Sequence, residues 1–164
     1  MATDAADIDL QIVCEAPGLP GGSELAEWVS SASREIGRTG AVQVSIRVVD
    51  EDESQALNRE FRGRDKPTNV LSFPSELDTL PGLPAEHNAH LGDLVLCAPV
   101  VRQEALAQGK PERSHWLHLV LHGFLHLNGY DHETDEEAEI MEALETRLLA
   151  AAGLPDPYKD PDSS

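Results

Sequence analysis

A chain of 164 residues, 40% of them hydrophobic, suits a single domain with a real core. Its formal charge of −18, from 12 basic and 30 acidic residues, excludes a protein that coats nucleic acid without selectivity, because neutralising phosphate takes a basic surface. Residues 1–10 carry Asp4, Asp7 and Asp9 and no apolar run of signal-peptide length, and no stretch approaches a membrane span. A soluble, cytoplasmic protein with no membrane partner is expected. Cys14 and Cys97 lie far apart in apolar runs and read as small buried hydrophobes.

In chain order, Ile8, Leu10, Ile12 and Cys14 alternate with polar residues, which predicts a strand with one buried face. Residues 17–22 form a loop, and a helix runs from Ser23 past Trp28 and Ile36 to about Gly37. Residues 42–49 make a second strand. Asp50 or Asp52 can cap a short helix carrying Leu57 and Phe61, after which a basic loop begins. Residues 69–73 are a short strand ended by Pro74, since proline cannot donate to a central ladder. Residues 74–90 read as one long irregular segment containing His87 and His90. A fourth strand covers 91–97, Pro99 and Pro111 open successive helices, and Thr134 with Glu137 has capping-box spacing for a last helix that reaches Gly153. The pattern predicts an α/β (α+β) fold: one compact domain over 1–164, a small mixed sheet of about four strands packed with about five helices, and flexible ends at 1–7 and 156–164.

The chemistry concentrates in His122-Gly-Phe-Leu-His-Leu-Asn-Gly-Tyr-Asp-His132. His122 and His126 are one helical turn apart and share a face, while Gly129 can end the helix in a left-handed conformation and bring His132 back to the same point. Three imidazoles that leave a fourth position open outline a catalytic transition-metal site on a helix of the C-terminal half. The spacing matches the long zinc-protease pattern except at Gly123, where that pattern has its general-base Glu, so metal binding is indicated and proteolysis is not. Gly123 could instead leave room beside the first ligand for a phosphate and ribose. His118 reads as packing or as support for a ligand, and His115 as a surface or helix-start residue.

Charge is unevenly spread. Arg59, Arg62, Arg64 and Lys66 put four of the 12 basic residues within eight positions, a local anion site on an acidic body. Residues 131–145 hold eight acidic side chains and no basic one, which reads as a solvated helix face. Asp131 could orient a ligand imidazole or begin that acidic turn. Asp93, inside an apolar strand, is expected to be buried in an ion pair. Thr68, Asn69 and Ser72 either touch substrate or shape the strand before Pro74.

Residues 62–74, Arg-Gly-Arg-Asp-Lys-Pro-Thr-Asn-Val-Leu-Ser-Phe-Pro, with Leu91-Gly-Asp-Leu-Val-Leu96 and the histidine motif, resemble the YbeY family of bacterial endoribonucleases over nearly the whole chain. The resemblance implies one divalent transition metal, usually zinc, on His122, His126 and His132, and a functional arginine at Arg62. It further implies cleavage of single-stranded RNA in rRNA processing, at the 3′ end of 16S rRNA, and in ribosome quality control. The partners it implies are single-stranded RNA as rRNA precursor, the small ribosomal subunit and ribosome assembly factors, with no DNA. An arginine fork can hold two phosphate oxygens while a metal stabilises charge, and both a hydroxide and the RNA 2′-hydroxyl are compatible nucleophiles. The competing classes are a zinc metallopeptidase-like hydrolase, opposed by Gly123, and a non-catalytic, metal-stabilised ribosome assembly factor.

Overall fold

Strands and helices are interleaved as the sequence pattern predicts, in a computed structural model that describes residues 6–37, 42–74, 90–130 and 133–151. The order is β1 (Asp7–Ile12), α1 (Gly22–Glu35), β2 (Gln43–Val49), α2 (Glu51–Arg62), β3 (Val70–Pro74), β4 (His90–Cys97), α3 (Ala98–Gln108), α4 (Glu112–Leu127) and α5 (Asp135–Ala151). β1 pairs parallel with β2 and β2 with β4, whereas β3 runs antiparallel to β4, giving a mixed sheet in the order β1-β2-β4-β3. The α/β fold, with four strands and five helices among the described residues, is therefore the one expected.

α4 occupies the centre because its sequence is apolar on nearly every side, and such a helix is stable only when surrounded. Trp116, Leu117, Val120, Leu121, Phe124 and Leu125 are buried, and the helix packs on β3 and β4 as well as on α1, α3 and α5. It comes close to the sheet at Gly123, where a Cβ would stand 2.7 Å from Leu94 Cδ2 and 3.3 Å from Ser72 Oγ. Gly123 thus faces β3 and β4 at a point of close helix–sheet packing. On the opposite face of the sheet Val49, Leu71 and Val95 form a smaller cluster with Leu57 of α2.

Local signals place the ends of the helices. The Asp50 carboxylate accepts from the Glu53 N–H at 3.0 Å and caps α2, and the Thr134 hydroxyl accepts from the Glu137 N–H at 3.1 Å ahead of α5. Pro99 stands in the first turn of α3, while Pro111 caps α4 rather than entering it. After α4, Gly129 adopts φ +93, its N–H bonds to the His126 carbonyl, and the Tyr130 N–H reaches back to the Leu125 carbonyl. That pair of bonds is a Schellman turn, which reverses the chain directly after the histidine face.

Several expectations need correction. The first strand ends at Ile12, which is half exposed because β1 is an edge strand, so Cys14 lies beyond it and is only partly buried. Cys97 is buried as expected, and burial raises both thiols above their ordinary range. Ala6 and Asp7 do not belong to a flexible end: Ala6 is buried with its N–H donating to Ser30 Oγ, and Asp7 pairs with Gln43. The remainder of that end, 156–164 and Gly153 lie outside the described residues. Arg59 and Arg62 sit in the last turn of α2, not in a loop, since the helix continues to a left-handed Gly63. His90 begins β4 instead of ending a loop, and His87 is outside the described residues. Asp93 is exposed, because α2 covers only part of its face of the sheet.

Candidate active site

His115, His118, His122 and His126 form the stripe that helical spacing requires, with successive ring centroids 6.3, 6.3 and 4.7 Å apart. At its C-terminal end the Nε2 atoms of His122 and His126 approach to 3.2 Å. Two nitrogens held by one tetrahedral ion at roughly 2.0–2.1 Å stand about 3.3 Å apart, so this pair has the separation of two ligands on a shared cation. His132 and Asp131 lie outside the described residues, and among the described residues no three candidate ligands converge. Tyr130 and Glu133, which flank that pair in sequence, both line the cleft into which His122 and His126 open.

The orientation of His122 has a specific cause. Its Nδ1 meets Glu145 Oε1 at 2.5 Å, and that contact turns Nε2 toward His126. Glu145 projects from α5 and is wholly buried. The same oxygen lies 3.6 Å from His118 Nε2, which places the His118 ring beside the carboxylate. Sequence reasoning missed Glu145 by treating the acidic run as one solvated face. The signal was present: Met141, Glu145, Leu148 and Leu149 follow the i, i+4, i+7, i+8 spacing of a buried stripe.

The cleft has a volume of about 730 Å³. One wall is the histidine face of α4, another is the sheet-edge strand β3 with Thr68, Asn69 and Ser72, and a third is the end of α2 with Phe61 and Arg62. The residues before and in β3 are held by the scaffold: Thr68 exchanges hydrogen bonds with Ser54 Oγ through its N–H and C=O, both at 2.9 Å, and the Asn69 amide donates to Glu104 at 3.1 Å. Arg62 therefore shares a cleft with the histidine pair. Among the described residues Arg59 pairs with Asp65 at 3.7 Å, whereas Arg62, Arg64 and Lys66 have no carboxylate within ion-pair distance.

His115 is not a surface residue. It is buried, and its Nε2 meets Glu104 Oε1 at 2.8 Å. This contact, with help from Asn69 and against burial, holds the Glu104 carboxyl below its ordinary value near 4.5, while burial lowers the neighbouring Lys110 ammonium. A carboxyl whose folded pKa is depressed contributes stability above the unfolded value and loses it as pH falls through the folded value. Denaturant melts taken from neutrality to roughly pH 3 should show wild-type protein losing stability more steeply below about pH 4.5 than Glu104→Gln. Parallel profiles for the two proteins would remove Glu104 from the acid transition.

A small α/β protein whose cleft gathers a paired imidazole face and an arginine has the apparatus of a hydrolase for an anionic substrate. A family model described as Endoribonuclease YbeY matches residues 22–153, and the chain belongs to that endoribonuclease family. Endoribonuclease YbeY of Halorhodospira halophila is 58% identical over 141 residues, covering 86% of this chain and 89% of the relative. The protein of the same name from Alkalilimnicola ehrlichii is 54% identical over 159 residues, covering 95% and 94%. Among solved structures, the solution structure of TM1509 from Thermotoga maritima is 29% identical with a TM-score of 0.54, covering 97% of this chain and 99% of that one. The enzyme class is thus a nuclease acting on RNA.

Proposed function

We propose that the chain is a metal-dependent endoribonuclease for single-stranded RNA, acting in the cytoplasm on rRNA precursors at the 3′ end of 16S rRNA and in ribosome quality control. The observation that carries the metal and phosphate roles is the convergence of the 3.2 Å Nε2 pair of His122 and His126 with Arg62 on one cleft. The rRNA substrate, the small-subunit and assembly-factor partners and the cellular compartment rest on family membership. His122, His126 and His132 would hold one divalent transition-metal ion, with zinc favoured by an all-imidazole donor set. Bound there, the ion would supply Lewis acidity and positive charge toward a phosphoryl oxygen.

The protein's own groups do the rest. Arg62 presents a planar fork to two oxygens of the scissile phosphate, and its place in the last turn of α2 is one where a cation is favoured by the helix dipole. Arg64 and Lys66 add charge that draws the RNA backbone toward an otherwise acidic protein. Glu145 holds the His122 ring in one orientation. β3 forms a fixed wall, because Ser54 and Glu104 tie down the residues at its start.

Purified protein incubated with a single-stranded RNA and with a denatured protein substrate, each with and without chelator, separates this reading from its competitors. RNA cleavage abolished by the chelator and by His126→Ala is expected, together with metal loss in that variant. Chelator-sensitive peptide cleavage would support a peptidase instead, and ribosome binding with cleavage of neither substrate would support an assembly factor. Arg62→Glu should abolish RNA cleavage at near-normal folding, since the residue stands at the cleft and outside the core. Arg62→Lys should restore only part of the activity, because it keeps the charge and loses the fork. Wild-type rates in Arg62→Glu would remove Arg62 from the chemistry.

A further inference from the structure

The cleft contains an aromatic pair that phosphate binding does not explain. Phe61 is 58% exposed in the last turn of α2, directly before Arg62. Its ring meets Phe73 of β3 edge to face, with centroids 5.1 Å apart and planes at 72°. Phe73 is half-buried and anchored against the Val49, Leu71 and Val95 cluster, so it is a fixed support. Both rings line the cleft shared by Arg62, His122 and His126. A T-shaped contact engages at most one of the two faces of Phe61, and the residue as a whole remains more than half exposed.

We propose that Phe61, backed by Phe73, is a stacking platform for one nucleobase of a single-stranded RNA whose neighbouring phosphate is held at Arg62. The inference rests on the endoribonuclease reading above and extends it to how the base, not only the phosphate, is bound. Unpaired bases stack on exposed aromatic rings regardless of identity, because every base has a π face. A base within a duplex already has both faces covered by its neighbours. The platform therefore favours single strands over duplexes and does so without reading sequence. Adjacent placement of ring and guanidinium suits a nucleotide, which offers a flat apolar base and a charged phosphate side by side.

Steady-state cleavage of a single-stranded oligoribonucleotide by wild type, Phe61→Ala, Phe61→Leu and Phe61→Trp tests this. Phe61→Ala should raise KM about tenfold, Phe61→Leu should resemble it because bulk without a π face does not stack, and Phe61→Trp should return KM to the wild-type range. An RNA carrying 2-aminopurine should lose fluorescence on binding to wild type and to Phe61→Trp, and retain it with Phe61→Ala. Because the ring is exposed, thermal melts of all variants should match wild type, and Phe61→Leu preserves the apolar contact to Phe73 should alanine disturb it. Wild-type protein that cuts no RNA would overturn the functional reading itself. Wild-type protein that cuts RNA, with unchanged KM in Phe61→Ala or Phe61→Leu or with 2-aminopurine fluorescence that no protein alters, would overturn the platform alone.

Discussion

In Glu145→Ala, metal affinity measured by competition with a chelator is expected to fall about 10–100-fold, the range found when a group that orients a ligand histidine is removed. The cause is geometric. Glu145 is wholly buried on α5, and its Oε1 meets His122 Nδ1 at 2.5 Å, which holds the ring with Nε2 facing His126. Without the carboxylate the ring can rotate, and its Nδ1 loses a partner inside the protein, a loss of about 1–3 kcal/mol on its own. Glu145→Gln keeps the shape and one acceptor oxygen while removing the charge, so it should fall between alanine and wild type. It also serves as the readable variant if alanine unfolds the α4–α5 contact. Glu142, exposed on the same helix, is the control, and its alanine variant should bind metal as wild type does. Equal affinities in Glu145→Ala, Glu145→Gln and Glu142→Ala would mean that the carboxylate plays no part in orienting the site.

Glu145 also marks the boundary of what the sequence revealed. The histidine spacing and the glycine turn were legible because local backbone geometry alone generates them: a helix sets i and i+4 side by side, and a left-handed Gly reverses the chain. Asp50 and Thr134 caps were legible for the same reason. The four-strand, five-helix fold followed from periodicity and punctuation, down to the strand that Pro74 closes. The acidic run hid Glu145 because seven of its eight carboxylates obey the rule for solvated charge or lie outside the described residues, and only tertiary packing selects the eighth. Asp93 failed in the opposite direction. Its apolar neighbours suggested burial, but whether a strand residue is covered depends on which helix reaches that part of the sheet, and α2 does not. His115 is buried for a related reason: Glu104, eleven residues earlier on α3, supplies the partner that local sequence cannot show.

Gly123→Glu should fail to fold stably, with a melting temperature lowered by on the order of 10 °C or more and with RNA cleavage and metal content falling together. The position has the approach of α4 to the sheet built into it. A Cβ alone would stand 2.7 Å from Leu94 Cδ2, and Leu94 is wholly buried in the middle of β4, so that side chain or the helix must shift. A glutamate adds four further heavy atoms beyond that Cβ and a charge buried away from water. Overpacking typically costs about 1–3 kcal/mol and an unpaired buried carboxylate adds to that, against a total stability of about 5–15 kcal/mol. Gly123→Ala separates the two costs. Alanine gains about 1 kcal/mol of helix propensity, which overpacking against Leu94 and Ser72 should outweigh, so a modest loss of stability with retained metal binding is expected. The competing explanation, that glycine leaves room for substrate beside His122, makes the contrary forecast: Gly123→Glu would melt as wild type, bind metal as wild type and cut RNA poorly. Melting curves of the two variants therefore decide between packing and access, and a Gly123→Glu protein as stable as wild type would refute the packing account.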